Sequence, residues 1–137
     1  MIITMKTIRF YTKVLPHVTS IEEENEKTQQ LVENIYQRFT NEVNTNHCAY
    51  AMEKLVNYRH VPKEYVIPPG SYIRMIDMRD PWNAVLYSGG FVVKDNGFSV
   101  VFLTGRNREV MTFDRRKYIF FLQMTVEDQI RASCGNL

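Results

Sequence analysis

The chain reads as an α+β fold: an N-terminal extended arm, a helical segment, then a small five-stranded antiparallel SH3-like barrel. Three observations predict it. A capping signature at Ser20 opens a run with apolar residues at helical spacing. Prolines and a glycine cluster between Val61 and Ser71. Five short apolar runs, separated by turn signals, then follow within about 55 residues. The expected organisation is an arm or strand over 1–19, a helical segment over 20–60, a Pro-rich linker over 61–71, and the barrel with a short C-terminal turn over 72–137.

The arm, from Ile2 to Leu15, is rich in β-branched and aromatic residues and stops at Pro16. Ser20-Ile21-Glu22-Glu23 then forms a capping box, with further acids at Glu24 and Glu26 where the helix dipole favours them. Leu31, Val32, Ile35, Tyr36, Phe39 and Val43 make one apolar stripe, a core face or a partner groove. Weak helix formers from Thr40 to Asn46 predict a break near Asn44, and a second stripe of Cys48, Met52, Leu55 and Val56 ends before Pro62. Beyond the linker, the strands are Tyr72–Met78, Val85–Lys94, Phe98–Thr104, Val110–Phe113 and Tyr118–Met124. Asp80-Pro81-Trp82-Asn83 suits a type I turn, and Thr125 to Asp128 can cap a last short helical turn.

Asn96-Gly97 is a strong hairpin signal. A two-residue loop there sets Val93 against Val100 and Phe91 against Phe102, so Phe91, Val93, Phe98, Val100 and Phe102 share the expected core face. The opposite face carries Val92, Val101 and Leu103, and Tyr118-Ile119-Phe120-Phe121-Leu122 is apolar on both sides. A free-standing barrel is polar outside, so that outer surface needs a cover: this chain's own helices or arm, or a partner. Gly89-Gly90 leads straight into a strand and not into a helix, so it reads as a bulge and not a phosphate loop.

The chain of 137 residues is 45% apolar and carries a net charge of +2, enough for a packed core and too little for nucleic-acid binding through bulk charge. Residues 1–19 hold three bases and no acid, residues 20–60 seven acids against four bases, and residues 61–137 ten bases against eight acids. Cys48 and Cys134 show no metal-type spacing and read as reduced thiols of a cytosolic protein. No run approaches the roughly 18 apolar residues of a membrane span, and the N-terminus lacks the pattern of a secretory signal.

No catalytic, cofactor or metal site is expected. Asp77, Arg79 and Asp80 read as a salt-bridge cluster at a turn. His47-Cys48 with His60 or Cys134 fits no metal pattern. Arg106 and Arg108, and Arg115, Arg116 and Lys117, occupy two turns at opposite ends of one strand; they are solvated charges, or contacts to an acidic protein surface or to nucleic acid, with Tyr118, Phe120 and Trp82 as stacking groups. The candidate partner-binding residues are Ile8, Phe10, Val92, Val101, Leu103, Arg106, Arg108, Arg115 and Arg116.

Ser71-Tyr72-Ile73-Arg74-Met75-Ile76-Asp77, followed by Leu86-Tyr87-Ser88-Gly89-Gly90-Phe91-Val92-Val93, resembles small virion-associated, minor capsid-like proteins of large icosahedral double-stranded DNA viruses, over about residues 66–122. The resemblance implies a non-enzymatic structural role: a minor capsid or virion assembly component, made in the host cytoplasm, that ties larger capsid subunits together. It carries over no functional residue. The alternative is an SH3-like nucleic-acid-binding module that uses the turn arginines.

Overall fold

The computed structural model describes residues 13–134. Helix α1 spans Ile21–Gln37, and the Ser20 hydroxyl accepts a hydrogen bond from the Glu23 amide at 3.2 Å, the serine half of the expected capping box. Helix α2 spans Glu42–Lys54, capped by Asn41, whose side-chain oxygen accepts from the Asn44 amide at 2.7 Å. The expected break therefore falls at residues 38–41, and Asn44 sits in the first turn of α2. That displacement turns Val43 out of the apolar stripe, and it is exposed.

The second helix stops earlier than its stripe suggested. Asn57 takes a left-handed φ of 67°, which Asn tolerates, and Tyr58–His60 then forms a strand, β1, inside the expected helical segment. The Asn25 and Asn57 side chains bind each other at 3.2 Å, and Asn25 also accepts from the Asn57 amide at 2.7 Å, so the turn is fastened to α1.

All five expected strands are present: β2 Tyr72–Asp77, β3 Leu86–Asp95, β4 Ser99–Thr104, β5 Val110–Asp114 and β6 Tyr118–Gln123. With β1 they form a six-stranded antiparallel sheet in the order β1-β6-β2-β3-β4-β5. This sheet is open, so the expected closed barrel is not formed. After the β5–β6 turn the chain crosses to pair with β2, and no ladder joins β5 to β6 or β1. Side chains bridge the gap instead: Phe113 stacks on Tyr118 with ring centroids 4.4 Å apart. A one-turn 3-10 helix, Pro81–Asn83, links β2 to β3, and α3 spans Val126–Cys134 after a mutual Thr125–Asp128 cap.

The two larger buried clusters among the described residues lie on opposite faces of the sheet, and a third joins Val18, Met124 and Ala132. Val32, Ile35, Tyr36, Ala51 and Leu55 pack on Tyr58, Ile76, Leu86 and Phe121. On the other face Ile73, Met75, Val92, Val100, Phe102, Tyr118 and Phe120 pack beneath Val61 and Ile67. Tyr118 to Leu122 is apolar on both sides because both of its sides are covered. The expected linker over 61–71 is a strap across the second core: the Val61 amide donates to Phe120 at 3.0 Å, and the Gly70 amide to Val92 at 2.8 Å. Among the described residues, the helices therefore cover the outer face of β1, β6, β2 and the start of β3 and leave the outer face of β4 and β5 bare.

The β3–β4 register also differs from expectation. Asp95 opposes Val100 and Lys94 opposes Val101; after a slip at Val93, Val92 opposes Phe102 and Phe91 opposes Leu103. The cause is turn chemistry. The Asn96 side chain accepts from the Phe98 and Ser99 amides at 2.9 and 2.8 Å, and Asp95 accepts from Gly97 at 2.8 Å, which stabilises a longer loop than the two-residue turn. Val92, Val100 and Phe102 consequently face inward, while Phe91, Val93 and Phe98, expected in the core, are exposed.

Gly89-Gly90 is the bulge expected of it. Ile73 opposes Gly90 and Met75 opposes Tyr87, so two residues of β3 face one of β2.

Candidate functional site at the bare edge of the sheet

The bare part of the sheet ends in β5. Thr104 donates to the Glu109 carbonyl at 2.9 Å and Arg115 to the Phe98 carbonyl at 2.8 Å. In an antiparallel ladder such pairs recur at every second residue, so Met111 and Phe113 bond to β4, while the amides and carbonyls of Val110 and Thr112 point away from it. No described strand pairs with that side.

On the outer face, register aligns Tyr72, Phe91, Leu103 and Val110 across four strands, with the Tyr72 and Phe91 rings 5.0 Å apart, edge to face. Phe91 is 51% and Val110 65% exposed. On the inner face, a cavity of about 230 Å³ is lined by Met75, Tyr87, Phe102, Met111, Phe113 and Arg106, so two of its walls belong to the edge strand. Arg106 and Arg108 stand exposed at the start of β5, and Arg116 and Lys117 at its end.

The candidate residues divide. Val101 and Leu103 are half-buried on the outer face, and Leu103 joins the apolar row. Arg106 and Arg108 are exposed, and neither forms an ion pair among the described residues. Arg116 is exposed and pairs with Asp114 at 3.0 Å. Ile8 and Phe10 lie outside the described residues. Two expectations are corrected. Val92, 3% exposed, belongs to the inner core because the register slip turns it inward. Arg115 is buried, not a solvated turn charge.

Arg115 is a hub. Its guanidinium pairs with the Asp95 carboxylate, donates to the carbonyls of Tyr65 at 3.0 Å and Pro62 at 2.9 Å, and lies 5.6 Å from the Phe120 ring. Asp95 also accepts from the Ile67 amide at 2.9 Å, so this pair ties the strap to two turns of the sheet. Burial pulls Arg115 below the usual arginine range, and Asp95 opposes that pull.

The remaining candidate groups have structural partners. Arg79 grips Asp77 through two nitrogens, at 3.0 and 2.7 Å, and holds its carboxyl below the usual carboxylate range, while Asp80 caps the 3-10 helix. His47 bonds Asn83 at 2.7 Å on α2, whereas His60 packs against Phe121 on β1. Among the described residues no group of three His, Cys, Asp or Glu could hold a metal ion, and no helix is long and apolar enough to cross a membrane. Of the expected stacking groups, Tyr118 and Phe120 are buried, and Trp82 packs on Phe39 with centroids 5.3 Å apart.

Sequence reasoning missed the edge itself. Its signal was the alternation of Val110 and Thr112 with Met111 and Phe113, a two-faced strand of only five residues. No protein-family model matches the chain, and no curated protein and no solved structure was found to be similar to it.

Proposed function

We propose that the chain is a non-enzymatic structural protein that docks onto larger protein subunits through the bare face and edge of β3, β4 and β5. One observation carries this reading: an apolar row from Tyr72 to Val110 continues past the helices that cover the rest of that face. Apolar area removed from water at roughly 25 cal/mol per Å² drives such docking, and a stable contact extends over more than about 1,000 Å².

The narrower form of the proposal, a minor capsid component of a large icosahedral double-stranded DNA virus, is supported by the texture of residues 66–122. Burial of Arg115, Tyr118 and Phe120 weakens the nucleic-acid alternative by removing one cation and two stacking groups.

The test is quantitative mass spectrometry of purified virions together with a Phe91→Ser variant. The native chain should be present at constant stoichiometry, and the variant should be depleted at unchanged folding stability. Absence of the native chain from virions defeats the capsid form, and undiminished incorporation of the variant defeats docking through this face.

A further inference from the structure

We propose that β5 accepts an extended strand from a partner protein, an alternating apolar segment with acidic residues at both ends. This rests on the reading of the chain as a docking component and specifies how it docks. Strand addition takes its affinity from main-chain hydrogen bonds and its specificity from pockets for alternate side chains, and both elements are present. The outward amides and carbonyls of Val110 and Thr112 supply the first. The second comes from the two faces of the edge: Val110 and Leu103 on the outer side, and the cavity bordered by Met111 and Phe113 on the inner side.

Charge sets the ends of the incoming strand. Arg106 and Arg108 flank one end of β5, with Arg116 and Lys117 at the other, against Glu109 and Asp114. With Arg116 paired to Asp114, Lys117 is the cation left at that end, and two arginines face Glu109 at the other, so both ends suit carboxylates. Protected edges carry prolines, inward charges or strong bulges; β5, Val110-Met111-Thr112-Phe113-Asp114, has no proline and no lysine and pairs without interruption along its length.

The test uses the full chain and a synthetic peptide of about nine residues, alternating valine and threonine around a central phenylalanine with two aspartates at each end, a length that spans β5 at roughly 3.4 Å per residue. Binding is followed by amide exchange. The Val110 and Thr112 amides should slow at least about tenfold on saturation, and raised salt should weaken binding severalfold.

Thr112→Pro removes an outward N–H without breaking the ladder to β4, as proline is tolerated at such edge positions, and it should lower affinity about tenfold or more. Should that variant not fold, a peptide N-methylated on the amides that would bond β5 replaces it: lost binding upholds the proposal, and retained binding overturns it. No binding at about 1 mM peptide, or binding indifferent to both changes, also overturns it. So does protection of Val110 and Thr112 already present in the chain alone, whether from its own segment or a second copy, and so does displacement of the peptide by a single-stranded oligonucleotide. If Phe91→Ser abolishes incorporation into virions while the peptide leaves these amides unprotected, docking stands and strand addition falls.

Discussion

Arg115 and Asp95 meet in the interior, the first following β5 and the second ending β3, with side chains 1% and 0% exposed. Each arrives from a turn, and the strap between them contributes three further hydrogen bonds. Removing one partner of a buried pair leaves an uncompensated charge, which costs about 3–5 kcal/mol. Arg115→Met should therefore lower the unfolding free energy by about that amount in urea titration. The double variant with Asp95→Asn should lose less than the sum of the two single changes.

Asn44 occupies the corresponding place on the helical side. Its side chain donates to the Phe39 and Pro81 carbonyls at 2.6 and 2.8 Å and accepts from the Ala84 amide at 3.1 Å. Asn44→Ala leaves these backbone groups unsatisfied, and a loss of about 2–3 kcal/mol is expected in thermal unfolding. Asn44→Asp should restore little, because a carboxylate cannot donate to the two carbonyls.

The glycine pair can be ranked by geometry. A Cβ at Gly90 would stand 1.9 Å from the Leu103 carbonyl oxygen, and one at Gly89 2.1 Å from that of Ile73. At Gly70 a Cβ meets nothing within 4 Å, and only its φ of 85° is unfavourable. Gly70→Ala should cost roughly 1 kcal/mol, while Gly89→Ala and Gly90→Ala should each exceed about 3 kcal/mol by denaturant unfolding.

His60 sets a pH dependence. Burial holds its imidazole below the usual histidine range; Arg115 adds to that, and Glu64 opposes it. The unfolded chain then binds a proton that the folded chain refuses. Stability is full above the unfolded histidine pKa of about 6.5 and is lost as pH falls below it, with a slope of at most about 1.4 kcal/mol per pH unit. Urea titrations from pH 8 to 5 should show this decline, and His60→Gln should flatten it.

Local chemistry made much of this fold legible. The Ser20 cap, the proline turn at Asp80 and the five strands all stand where their residues put them, because each depends on neighbours in sequence. Long-range decisions were not legible. The Asn96-Gly97 loop is lengthened by Asp95, whose carboxylate is committed to Ile67 and Arg115 far along the chain. Together with the Asn96 bonds to Phe98 and Ser99, this commitment holds the shifted register that turns Val92 inward and exposes Phe91. β1 is too short to carry a periodic signal, and the pairing of β6 with β2 follows from packing on both sheet faces. At the candidate site, Leu103, Arg106 and Arg108 were legible, while Val110 and Thr112 became visible only once the strand order made β5 an edge.

The two margins of the sheet are unequal. β1 offers three residues before the chain turns into the strap, whereas β5 offers five, with the amides of Val110 and Thr112 turned away from β4. Of the two described margins, β5 therefore gives an incoming strand the longer template, so pairing is favoured at this end over β1.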